Sequence, residues 1–322
     1  MTSLRLLLAC GWLLIAASVD AQPRRGLEDG ATGALIFHSI GQSRAIILSA
    51  TLTLPADRAA RVGAVVLAGD LPGPTAEATS VYVKRLLEAG VAVMAIDSFG
   101  ARGLKEFGEA VGLATLRQVE DSYAALAMLR GHPAIDPNRM ALVGLGRGGT
   151  AAIEASLSAL RDIARGDAPG GSVGFAAIAA LYPTCALQWR PVESIDRPLL
   201  IQSGALDDLS GSAHCEDYAR RLRAGNSSGV ALRIYAGLPG AWAAPAFERP
   251  EAERLDRCLA LLDLDGSLTE RATGLRHQRG QISAFLDACR LMGRRGGGGD
   301  PETAARAWED LRAFLATAGI LR

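Results

Sequence analysis

The stretch Met140–Gly149, M-A-L-V-G-L-G-R-G-G, constrains this chain more than any other. An apolar run suited to a buried strand enters a corner made of Gly144, Gly146, Gly148 and Gly149, and a helix begins near Thr150. A strand turning so abruptly into a helix is a unit of α/β architecture, in which the helix packs back onto the sheet. The corner also satisfies G-x-G-x-x-G through Gly144, Gly146 and Gly149, the pattern of a dinucleotide-binding loop. The rest of that pattern is missing. The next apolar run, Phe175–Leu181, leads into Tyr182-Pro183 and offers no Asp or Glu for a ribose. The corner also follows several strands instead of opening the domain, so no cofactor is expected.

The flanking sequence has a matching rhythm. Ala34–His38, Ala45–Leu54, Ala64–Leu67, Val91–Ile96, Met140–Val143, Phe175–Leu181, Pro198–Gln202 and Ala231–Tyr235 read as strands. Thr79–Ala89, Ala114–Arg130, Thr150–Arg165, Asp217–Ala224 and the closing Ala304–Ala318 read as helices, and Pro133–Asn138 as a turn. Short β-branched runs alternating with helices predict a three-layer α/β fold with a mostly parallel sheet. The segment from about Glu248 to Gly299 breaks the rhythm. It is partly helical and reads as an insertion or lid within one domain spanning residues 22–322.

Lys+Arg and Asp+Glu are both 34, so no net charge draws the chain to nucleic acid or to an anionic membrane. Arg5, the apolar run Leu6–Ala17 and Val19-Asp20-Ala21 read as a signal peptide over residues 1–21, which predicts export to the periplasm or medium. An uncleaved anchor is the alternative, and Leu7-Leu8-Ala9-Cys10 is a lipoprotein-type box placed too early. No later run is apolar for long enough to span a bilayer. Export leaves Cys185, Cys215, Cys258 and Cys289 in an oxidising compartment. Of three possible pairings, Cys185–Cys215 with Cys258–Cys289 is favoured. Each closes a loop of about 30 residues and contributes on the order of 3–4 kcal/mol. No pair has C-x-x-C spacing, so zinc and thioredoxin-like readings are weak and no metal is expected.

Several strings together resemble the dienelactone hydrolase branch of the α/β-hydrolases. Ala64–Gly69 sits where that family has a strand ending in His-Gly. Asp97-Ser98-Phe99-Gly100-Ala101-Arg102-Gly103 is similar to its D-S-F-x-x-R-G segment. Ile135–Arg139 leads into the corner strand, and Tyr182-Pro183 and Gly204–Asp208 resemble the stretches before and at the catalytic acid. The resemblance covers about Ala34 to Leu321.

The family's nucleophile elbow is G-x-S-x-G, with the triad in the order nucleophile, acid, histidine. Gly144 and Gly148 match the flanking glycines, but Gly146 stands at the nucleophile position and supplies no attacking atom. Asp207 matches the acid, with Asp208 as its neighbour. Leu238–Pro245 resembles the family's P-G-A-x-H-A-F loop, which places Ala243 where the histidine belongs. The oxyanion donors would be the N–H of Arg147 and the loop Gly69-Asp70-Leu71, where an inward Asp70 would oppose a developing oxyanion. Arg147 at a helix N-terminus is alternatively an anion site or a surface arginine.

Two of three triad positions are therefore empty. The implied function is a non-catalytic protein that binds a small, possibly anionic molecule, or an interaction partner, through a pocket near Asp70, Gly146, Arg147, Asp207 and Trp242. The alternative is a rewired ester or lactone hydrolase whose base would be His214 or His277. His38 and His132 read as structural. If only side chains were lost, Gly146→Ser with Ala243→His should restore labelling by a fluorophosphonate.

Overall fold

A computed structural model describes residues 22–40, 46–57, 60–70, 76–104, 114–165, 174–190, 195, 197–225 and 229–322. The proposed signal peptide lies outside them, as does Leu71. The chain runs through β1 (Gly33–His38), β2 (Ile47–Thr53), β3 (Val62–Ala68), α1 (Ala76–Glu88), β4 (Ala92–Asp97), α2 (Ala114–Arg130) and β5 (Ile135–Leu145). It continues through α3 (Arg147–Ser156), α4 (Ser158–Arg165), β6 (Ala177–Leu181), β7 (Leu187–Trp189), β8 (Leu199–Gly204), α5 (Ser212–Ala224) and β9 (Val230–Tyr235).

Eight of these strands form one sheet in the order β1-β2-β4-β3-β5-β6-β8-β9. β1 and β2 join antiparallel to one another and β2 to β4, and every pairing from β4 to β9 is parallel. The central strands are apolar throughout because both faces are covered. In β3, Ala64, Val66 and Ala68 face a core shared with α2 and α3, while Val65 and Leu67 face a core shared with α1 and a closing helix. That helix, α7 (Pro301–Thr317), starts where its sequence says it should. Asp300 accepts from the N–H of Thr303 at 2.8 Å and Pro301 occupies the first turn. The result is the expected three-layer α/β arrangement.

Two local expectations change. The helix expected over Thr150–Arg165 is broken at Leu157, which is extended (φ −78°, ψ 123°) and buried. The turn expected at Pro133–Asn138 instead feeds β5 from Ile135, which pairs with Val62.

The segment that broke the rhythm is mainly strand. It contains β10 (Phe247–Arg254), β11 (Ala260–Leu262), β12 (Leu268–Glu270), β13 (Arg276–His277), α6 (Ile282–Cys289) and β14 (Leu291–Gly297). β10 pairs with β14, while β11, β12 and β13 extend a small sheet begun by β7 of the main chain path. Leu255, Ala260, Leu262, Leu268, Phe285 and Leu286 give it a core of its own, with Ala186 from beside β7. Both expected disulfides are present. Cys185–Cys215 ties the segment before β7 to α5, and Cys258–Cys289 closes the insertion across its core.

Candidate functional site

The corner after β5 turns so tightly that its flanking glycines are packing requirements. A Cβ on Gly144 would lie 1.9 Å from the carbonyl oxygen of Gly148, and one on Gly148 would lie 2.0 Å from that of Ala68. The match to G-x-G-x-x-G follows from this crowding. Gly146 sits at the apex with φ +56° and ψ −111°, a region costly for residues with a Cβ. Its N–H donates to Leu181 O at 3.0 Å, and its carbonyl accepts from Thr150 N at 3.0 Å.

The space a nucleophile would fill is taken by Asp70. A Cβ built on Gly146 would stand 2.2 Å from Asp70 Oδ2 and 2.5 Å from its Cγ. Asp70 Oδ1 also faces the N–H of Arg147, which donates to it over a long 3.4 Å. The loop carrying Asp70 is held from behind by Gln118, whose Nε2 donates to Gly69 O at 2.8 Å. Asp70 therefore points inward, onto the donor that an oxyanion would need. Arg147 is buried, at 6% exposure, and is not a surface arginine. Burial lowers its pKa to about 10, against the opposing pull of Asp70, Glu253 and Glu154.

Asp207 comes to the same place from the end of β8. Burial raises its pKa, while the N–H groups of Leu209 (2.8 Å) and Ser210 (3.3 Å) and the charge of Arg295 act the other way. Its neighbour Asp208 does a different job. It accepts from Gly296 N at 2.7 Å and lies 3.9 Å from Arg295 Nε, fastening β14 to the main body. Over Asp207 lies Gly240, where an added Cβ would be 3.2 Å from Oδ1.

Asp70, Gly146, Arg147 and Asp207 thus share one cavity of about 40 Å³ with Tyr182, Gly240, Ala241 and Arg295. Such a volume holds roughly three water molecules. Tyr182 has φ +40°, and its buried hydroxyl makes no hydrogen bond. Trp242 and Ala243 lie outside the cavity wall. Trp242 packs edge-on against Tyr182 (4.7 Å between ring centroids) and Tyr235 (6.0 Å), and Ala243 is half-buried against the same cluster. An indole covered on both sides supports the wall from behind.

No histidine lines this cavity among the described residues. His277 bonds Glu270 at 2.7 Å, within the insertion. His214 lies near Asp256 and Asp217, with a pKa lowered by burial. His132 is buried, and its Nδ1 accepts from Ala134 N at 3.1 Å. His38 is exposed at the end of β1.

A second chamber of about 60 Å³ adjoins the first across Arg147 and Thr184. It lies between α3 and the insertion, and Glu154 lines it. That carboxyl is 3% exposed, and burial pushes its pKa up to about 7. Trp189 Nε1 donates to its Oε1 at 3.0 Å. Sequence reasoning passed over Glu154, although a lone carboxylate in A-A-I-E-A-S, otherwise fit for burial, is a usable signal. Arg295 left no signal, because only the pairing of β14 with β10 brings it to the sheet.

The D-S-F-x-x-R-G string has a structural explanation. Asp97 Oδ1 accepts from the N–H groups of Phe99 (3.1 Å) and Gly100 (2.8 Å), capping a 3₁₀ turn at Gly100–Arg102. Arg102 then forks onto both oxygens of fully buried Asp121 at 2.7 and 3.0 Å.

Comparison with known proteins agrees with this geometry. No family model and no curated protein sequence matches the chain. Solved structures do. A dienelactone hydrolase-like promiscuous phosphotriesterase from metagenomic libraries is 16% identical over 90% of this chain and 99% of its own, with a TM-score of 0.51. A Klebsiella pneumoniae protein assigned as a dienelactone hydrolase is 15% identical over 65% of this chain and 88% of its own, with a TM-score of 0.50. At such identities the likeness speaks for architecture. The chain has the α/β-hydrolase fold, in the form seen in dienelactone hydrolase-like structures.

Proposed function

We propose that this is an exported, non-catalytic member of the dienelactone hydrolase-like group, which binds a small molecule at the former active site. The observation that carries the reading is Asp70. Its carboxylate fills the volume above Gly146 and faces the N–H of Arg147, so the corner has neither an attacking atom nor an open oxyanion site. Asp207 adds a carboxyl without an imidazole to orient, and loss of nucleophile or base alone removes most of the rate in a triad. Export is supported by two disulfides, as suits an oxidising compartment. No described helix is long and apolar enough to cross a membrane.

The test is turnover of short p-nitrophenyl esters by the purified chain, with Asp207→Asn as control. The expected result is no hydrolysis above the uncatalysed background for either protein. Hydrolysis that disappears in Asp207→Asn would replace this reading with a rewired hydrolase.

A further inference from the structure

The chamber between α3 and the insertion has two unlike walls. Leu187, Trp189, Leu255, Leu262 and Leu286 make one of them apolar. Cys258–Cys289 holds that wall in place, since Leu255 and Leu262 flank Cys258 and Leu286 precedes Cys289. Thr115, Thr150, Thr184, Arg147 and Glu154 make the other wall. Thr150 and Thr184 already bond each other there, Thr184 N donating to Thr150 Oγ1 at 3.0 Å and Thr150 Oγ1 to Thr184 O at 3.2 Å. Glu154 differs. Trp189 holds Oε1 and the Thr115 side chain also bonds the carboxyl, while Oε2 is buried and has no hydrogen-bond partner among the described residues. Glu154 also forms no ion pair among the described residues. A buried carboxylate oxygen left in this state is costly and calls for a donor.

The surrounding charge selects the donor. Arg147 at the chamber boundary is faced by Asp70 and Glu253 as well as by Glu154, so carboxylates outnumber the guanidinium. An anion entering here would meet more negative than positive charge. A cation with an apolar tail satisfies both walls. A cavity of ~150 Å³ accepts benzene, so about 60 Å³ suits a chain of a few carbons. We propose that the chamber binds a short primary alkylammonium ion, with its ammonium donating to Glu154 and its chain on the leucine wall. The proposal rests on the non-catalytic binding reading, and it replaces the anionic ligand expected from sequence with a cationic one.

The experiment titrates the purified chain with n-propylammonium, 1-propanol and propionate, followed by calorimetry and by amide chemical shifts. Propylammonium is expected to bind at least tenfold more tightly than propanol, and propionate not to bind. Glu154→Gln, which keeps the shape, should weaken propylammonium at least tenfold and leave propanol unchanged. Leu262→Phe should fill the chamber and abolish both while the far-ultraviolet circular dichroism stays native. Equal binding of amine and alcohol, or indifference to Glu154→Gln, would overturn the cation assignment. Absence of all binding to the folded wild-type chain would overturn the site. Ester turnover in the same preparation would instead sink the non-catalytic reading, so the two failures are told apart.

Discussion

Two corners stand at the same end of the parallel strands, after β4 and after β5, with β3 between them. The first gives its charged side chains polar partners, although the buried Ser98 hydroxyl has none among the described residues. Asp97 caps its turn and Arg102 forks onto Asp121. The second has three close-packed glycines and an apex at positive φ, and carries no side chain at that apex. The first corner is held by charged side chains and the second by backbone packing. In the first, removing a side chain strands a buried charge. In the second, the close approaches are between backbone atoms, so the turn holds with no side chain at its apex. The flanking glycines of such a corner are therefore fixed by packing, whatever residue stands between them.

The sharpest way to break this contrast is Arg102→Ala. Asp121 has no exposure, and its two hydrogen bonds from Arg102 offset the cost of burying its charge. Removing one partner of a buried pair costs about 3–5 kcal/mol. Urea unfolding should show a loss of that size. A loss below about 1 kcal/mol would mean that this corner is as dispensable as the other.

About two turns into the helix beyond the second corner, Glu154 offers a test by pH. Its folded pKa lies near 7 against an ordinary 4.5, because burial penalises the carboxylate. Between those values the folded chain retains a proton that the unfolded chain has released. This contribution is therefore fully present below about pH 4.5 and is lost as pH rises through 7, with a total near 3 kcal/mol. Glu154→Gln cannot titrate. Its stability relative to wild type should rise by about 3 kcal/mol from pH 4 to pH 8, measured by denaturant unfolding at both. A difference constant with pH would show that Glu154 is solvated like a surface carboxylate.

Long periodic elements were legible in the sequence. β3, β4, β6, β8 and α2 fall close to where apolar runs and helical spacing put them, and loop lengths selected the right disulfides. The insertion was not legible as strand. β7, β11, β12 and β13 are two or three residues long, too short for any period, and β7 finds its partner β11 only across a long stretch of chain. The break at Leu157 has no Gly or Pro to announce it. At the site, the same split holds. Residue identities placed Gly146, Arg147, Asp70 and Asp207 in one pocket, and the structure brings them together. The direction of Asp70 was an open question, because a loop carboxylate points inward or outward according to contacts made by distant residues such as Gln118. Trp242 is an aromatic beside the site in sequence and a supporting residue behind it in space.

The smallest expected effect is also the most specific to the second corner. Sequence alone suggests that Gly146→Ser with Ala243→His should rebuild a reactive serine. The position of Asp70 predicts otherwise. A serine Cβ would come within 2.2 Å of Asp70 Oδ2, so the carboxylate must move. Crowding of this kind costs about 1–3 kcal/mol, at the low end if the Asp70 side chain can rotate away. Asp70→Gly in the same chain should return most of that loss, giving a coupling energy between the two positions that independent sites would not show. Fluorophosphonate labelling then separates shape from chemistry. The Gly146→Ser/Ala243→His chain should remain unlabelled, because Asp70 still opposes the oxyanion at the N–H of Arg147. Labelling that begins only when Asp70→Gly is added would identify one loop carboxylate as the block. Labelling without that change would mean that Asp70 yields easily, and that the second corner differs from an active elbow by two side chains alone.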